Sequence, residues 1–232
     1  MNRRQFSSMS LAALLACAAV RQAQALTLAD LSGADASKGL KTALEKGALA
    51  AVGILGTHDG FLGNEKVRIP LPKFLEDAAK LMRTFGQGGK VDELVTAMNR
   101  GAEAAVPQAK DLLVKAVQTM TVNDAKGILG GGSTAVTAFF ETRTRPQLAM
   151  RFLPIVTQAT AKVDLASKFN EVAGKAAELG LVKKDEANIQ KYVTDKTLSG
   201  LFFMIAEEEK KIRDNPAGYG SAILSKVFGA LK

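Results

Sequence analysis

Six polar side chains could support chemistry: His58, Asp59, Arg68, Asn99, Arg100 and Glu103. Two carboxylates brought together could divide general acid and general base duties, and arginines beside them would hold an anion. Other chemistries lack their residues. His58 is the only histidine, so neither a two-histidine metal site nor the paired Glu-x-x-His set of di-iron bundles can be assembled. No Gly-x-Ser-x-Gly elbow accompanies it. A loop histidine beside an aspartate is read as solvated. No catalytic residue, metal or cofactor is therefore assigned. Asn99 shares a helical face with Val95, Ala102 and Val106. Asparagine is unfavourable there unless its amide is used, so it is expected to tie down the segment 57–72. The functional alternative joins Asn99, Arg100 and Glu103 to Asp59 and Arg68 as one polar pocket; His58 is a further candidate binding residue.

Two further clusters read as architecture. Gly127 to Thr134 places Ser133 where a phosphate-binding loop needs lysine, and a helix stop followed by a helix start explains it. Glu207–Lys211 and Glu209–Arg213 have acid-first spacing, which predicts a solvated helix face.

These groups need helices to position them. Alanine, leucine, lysine and glutamate dominate, and apolar residues recur at helical spacing. The first helix is expected over about Ser37–Leu55, with Leu40, Leu44, Ala48, Ala51 and Leu55 on one side. An irregular loop follows near 57–72, and Pro72 opens the next helix. Gly86 to Gly89 break that helix, Val91 to Val106 form another, and Pro107 starts its successor. Thr121 with Asp124 reads as a capping box, while Pro146, Asp164 and Asp185 mark further starts. The last long helix is expected over Thr194–Asp214, before a terminal amphipathic helix. That terminal helix is expected to dock on the core; weak membrane-surface contact is its alternative. The fold class is all-α, a compact multi-helix bundle with short helices.

The N-terminus carries an address. Arg3-Arg4 precede Phe6, Leu11 to Val20 is apolar, and Ala23-Gln24-Ala25 ends the stretch. This order is an export signal, and the arginine pair resembles its twin-arginine form. The apolar part is too short to span a bilayer, so cleavage is expected between Ala25 and Leu26. General secretion is the alternative route. Cys17, the only cysteine, gives a second alternative, a lipid anchor. Residues 26–232 are then expected to form one helical domain, periplasmic or secreted. Its formal charge falls from +8 to +5 once the signal is removed. The charge is dispersed and not interleaved with aromatics, which argues against nucleic acid.

Four segments carry a resemblance. They are Asp59-Gly60-Phe61 with Arg68-Ile69-Pro70-Leu71-Pro72; Met98-Asn99-Arg100 with Ala102-Glu103; Met120-Thr121 with Asp124-Ala125 and Ile128-Leu129; and Gly200-Leu201-Phe202 with Ile205 to Glu209, Ile212-Arg213 and Asn215-Pro216. Together they resemble a bacterial family known as domain of unknown function 4197. The resemblance implies an exported helical protein and no established activity.

The expected function is a noncatalytic envelope module that binds a protein or small ligand through the 57–72 face. The alternatives are a carboxylate enzyme using Asp59 and Glu103, and a structural lipoprotein. Convergence of the two carboxylates in a closed cleft would favour the enzyme. Pairing to arginine on an open face would favour binding.

Overall fold

The computed structural model describes residues 33–132, 135–180 and 187–215. Arg3, Arg4, Cys17, Ala25, Leu26, Ser133, Asp185 and the chain after Asn215 lie outside the described residues. Helices α1 (Gly33–Leu55), α2 (Lys73–Thr84) and α3 (Gly88–Ala105) are followed by a 3-10 turn, Val106–Ala109. Then come α4 (Lys110–Gln118), α5 (Val122–Gly130), α6 (Ala135–Thr160), α7 (Asp164–Glu178) and α8 (Ile189–Asp214). No strand occurs among the described residues, so the fold is an all-α bundle.

The expected stripe of α1 is its buried side: Leu40, Leu44, Ala48, Ala51 and Leu55 all lie in the core. The α8 helix packs against α1, α3, α6 and α7, and α6 packs against α3 and α8. The core runs between these long helices, with Phe140, Leu148 and Phe152 of α6 facing Leu198, Leu201, Phe202 and Ile205 of α8 as members of one cluster. Small residues bring the layers close. A Cβ on Gly101 of α3 would lie 3.1 Å from Cβ of Ala159 on α6.

Local signals account for several of the helix ends. Thr121 Oγ1 accepts from the Asp124 amide at 3.1 Å, and Asp124 Oδ2 accepts from the Thr121 amide at 2.8 Å. The expected capping box of α5 is thus present. The stop of α2 is Gly86, whose φ of 75° suits glycine. Gly88 and Gly89, expected to be breakers, instead form the first turn of α3. Pro72 stands at the N-cap of α2 rather than inside its first turn. The α8 helix starts earlier than expected, because Asn188 Oδ1 accepts from the Lys191 amide at 2.9 Å and caps it.

Pro146 corrects the reading at another point. It does not start a helix; it lies inside α6, as does Pro154. Each proline removes one helical hydrogen bond. The α6 helix continues because Phe140, Leu148, Phe152 and Val156 are all buried, and this packing outweighs the local loss.

The glutamates of α8 require a second correction. Glu208 and Glu209 are buried rather than on a solvated face. Each is paired with a cation one turn further along α8. Lys211 Nζ donates to Glu208 at 2.6 Å, and Arg213 Nε donates to Glu209 at 2.7 Å. Glu207 pairs not with Lys211 but with Lys66 of the 57–72 segment, at 2.6 Å. Burial pushes the Glu209 carboxyl above its ordinary pKa, partly offset by Arg213.

Candidate functional site

The segment between α1 and α2 is a chain of turns, with Gly60 N–H donating to Thr57 O, Gly63 to Asp59 O, and Arg68 to Asn64 O. Its first turn folds back on the end of α1. A Cβ on Gly60 would lie 2.5 Å from Leu55 O, so only glycine fits. Asp59 has φ of 64°, a left-handed conformation that aspartate tolerates better than most residues. The segment then drives Phe61, Val67 and Ile69 into the core. On α8, a Cβ on Gly200 would lie 2.9 Å from Cε1 of Phe61. That glycine leaves room for the ring.

Two side chains of α3 hold this segment. Asn99 is fully buried. Its Oδ1 accepts from the Ile69 amide at 2.9 Å, and its Nδ2 donates to Ile69 O at 3.0 Å and Val95 O at 2.8 Å. The amide therefore pairs one loop residue in both directions, and its second hydrogen satisfies its own helix. Glu103, only 5% exposed, lies one turn further on. Its Oε1 accepts from the amides of Phe61 and Leu62, both at 3.0 Å. Its Oε2 accepts from Arg100 Nη1 at 2.6 Å.

Arg100 also donates through Nη2 to Asp59 Oδ1 at 2.8 Å. The remaining Asp59 oxygen lies 3.1 Å from Nδ1 of His58, whose side chain is 78% exposed. One guanidinium thus bridges a buried and a half-exposed carboxylate. The bond from Arg100 holds Asp59 below the usual carboxylate range, and the Glu103 bond, followed by that of Asp59, raises Arg100.

Four of the six expected residues, His58, Asp59, Arg100 and Glu103, meet in this network; Asn99 holds the segment separately at Ile69, and Arg68 joins neither. Arg68 is exposed and lines a shallow depression with Lys66, Lys196, Ser199 and Phe203. No ion pair within 4 Å involves Arg68 among the described residues. Two ties of the segment to α8 were not legible in the sequence. Tyr192 donates its hydroxyl to Pro70 O at 3.1 Å, and Lys66 reaches Glu207. These partners are more than a hundred residues apart, and no local spacing announces them.

Among the described residues, no group of three or more histidine, cysteine, aspartate or glutamate side chains is placed to hold a metal ion. No helix among them is long and apolar enough to cross a membrane.

No curated protein matches the chain, and no solved structure does. The model of one family does match it, over residues 30–229, and includes both the α3 clamp and the segment it holds. The chain belongs to the family described as Protein of unknown function (DUF4197).

Proposed function

We propose that the protein is exported and acts in the cell envelope as a noncatalytic binding module. Its contact surface is the outer face of segment 57–72. One observation carries this reading: all four carboxylate oxygens of Asp59 and Glu103 already have partners in Arg100, His58 and two loop amides. A general base needs a free lone pair aimed at substrate. The Glu103 carboxylate instead fixes the loop backbone, and the Asp59 carboxylate is tied to Arg100. What the fixed segment and the adjoining face of α8 offer outward is Arg68 of the segment with Lys196 and the 42% exposed Phe203 of α8. Rigid loops held over a helical scaffold are common carriers of recognition. Export is supported by Arg3-Arg4, the short apolar stretch and the alanine site.

Site-specific photocrosslinking in living cells tests the reading. A photoreactive residue at position 68 or 203 should give the same discrete adduct, and one at exposed Lys126 on α5 should not. Lysine at both positions 3 and 4 should abolish the adduct by blocking export, since lysine lacks the planar fork of arginine. Absence of an adduct at 68 and 203, or equal adducts at all three positions, would overturn it.

A further inference from the structure

The α6 helix has two apolar stripes. The inner one is core. The outer one comprises Pro146, Ala149, Met150 and Leu153, at spacings of three, four and seven residues along one face. Met150 is 70% exposed. This stripe forms the floor of a groove of about 720 Å³ between α6 and the start of α8, which adds Leu198 and the Tyr192 ring. The floor spans two helical turns, about 10 Å.

The rim is cationic. Arg145, Lys191 and Lys196 line the groove, against the single carboxylate of Asp195. Arg145 is occupied by Glu141 and Asp195 and stacks over Phe202. Lys191 has no carboxylate partner among the described residues, and Lys196 lies over the Tyr192 ring at 5.5 Å. The Thr194 hydroxyl at the groove wall is buried without a hydrogen-bond partner.

We infer that this groove binds a single-chain fatty acid, its alkyl chain on the α6 stripe and its carboxylate between Lys191 and Lys196. Size, charge and chemistry agree. The volume lies in the range of small-ligand sites, and a floor of two turns is short for the area a protein partner would need. Two ammonium groups suit a monoanion. Phosphate sites draw on backbone amides and free arginine forks. Here Arg145 is already engaged, and the Ile189 and Lys191 amides are capped by Asn170 and Asn188. This inference does not rest on the loop-face reading: the two faces share only Lys196, and Arg68 has no part in the groove.

Displacement of a fluorescent fatty acid, dansylaminoundecanoate, from the purified full chain tests it. Decanoate should displace the probe, and each methylene removed should weaken displacement about fourfold. Decyltrimethylammonium should not compete. Lys191→Glu with Lys196→Glu should weaken decanoate by about tenfold or more, with the thermal transition unchanged because both side chains are exposed. Met150→Glu should abolish it, and Arg68→Ala should leave it intact. Failure of the probe to bind, equal competition by the cationic amphiphile, or unchanged affinity in the lysine double variant would overturn the proposal. Tighter displacement by decyl phosphate than by decanoate would overturn the choice of a carboxylate, and binding only of an acidic amphipathic peptide would replace the acyl chain by a protein partner.

Discussion

Asn99 and Glu103 show how much one side chain can organise. Each sits on α3, and each takes up loop backbone groups that no regular element would satisfy. Asn99→Leu fills the space but leaves the Ile69 amide and carbonyl unpaired. The expected cost is about 1–3 kcal/mol, with faster hydrogen exchange across Asp59 to Ile69 than in the bundle. Unchanged exchange there would refute the clamp. Asp59 supplies a pH signature. Its folded pKa is depressed by Arg100, so its stabilisation is complete above the unfolded value of about 3.9 and lost as pH falls through the lower folded value. Asp59→Asn keeps the left-handed backbone and removes the charge. Its urea midpoint should lie below the parent at pH 6, and the gap should close in acid. A constant gap would mean that the carboxylate charge is not what matters. The position of Asn99 was legible because a buried amide inside a helix demands a use. The pairing of Arg100 with both Glu103 and Asp59 was only half legible. The i,i+3 partner can be read from spacing, but the Asp59 partner depends on where the segment returns.

One helix end was legible because two side chains make the cap reciprocally, whereas the single Asn188 cap of α8 was not. Thr121 and Asp124 reciprocate across α5, and Arg143 of α6 adds two contacts of 2.9 Å to the same carboxylate. The Thr121 amide and hydroxyl hold Asp124 below the usual range. Thr121→Ala should cost about 1 kcal/mol, read as a shift in the denaturation midpoint with unchanged slope. A neutral result would mean that Arg143 alone holds the turn. Proline was the poorer guide. Pro146 and Pro154 carry local stop signals that α6 overrides, because its Phe140, Leu148 and Phe152 reach the centre of the bundle. Sequence spacing likewise misassigned Glu207: the helix offers Lys211 four residues on, but the loop delivers Lys66. Long-range partners are set by packing geometry, which local periodicity does not encode.

For the whole molecule, composition and helical spacing sufficed for the fold class, since the apolar stripes of α1 and α8 find each other regardless of detail. The grooves were not legible, because a groove is the space left between two stripes and depends on how they cross. Helices α1, α3, α6 and α8 share one hydrophobic cluster with the loop residues Phe61, Val67 and Ile69. Residues 26–232 are accordingly expected to unfold in one cooperative transition, with helical circular dichroism and near-ultraviolet signals changing together. Two separated transitions would divide the chain into independent units.

The Glu103 carboxylate grips amides 41 and 42 residues upstream, and Asn99 grips one 30 residues upstream. Closing spans of this size costs chain entropy before any bond repays it. Both grips also need α3 to be formed, because their acceptor atoms are in register only on its surface. The segment is therefore expected to lock late, after α3 has formed. Weakening either grip should speed unfolding and leave the refolding rate nearly unchanged, the kinetic mark of contacts absent from the transition state. If the segment locks last, the face proposed for recognition is the last part of the molecule to acquire its shape, and an incompletely folded chain would hold most of its helices and still lack that surface.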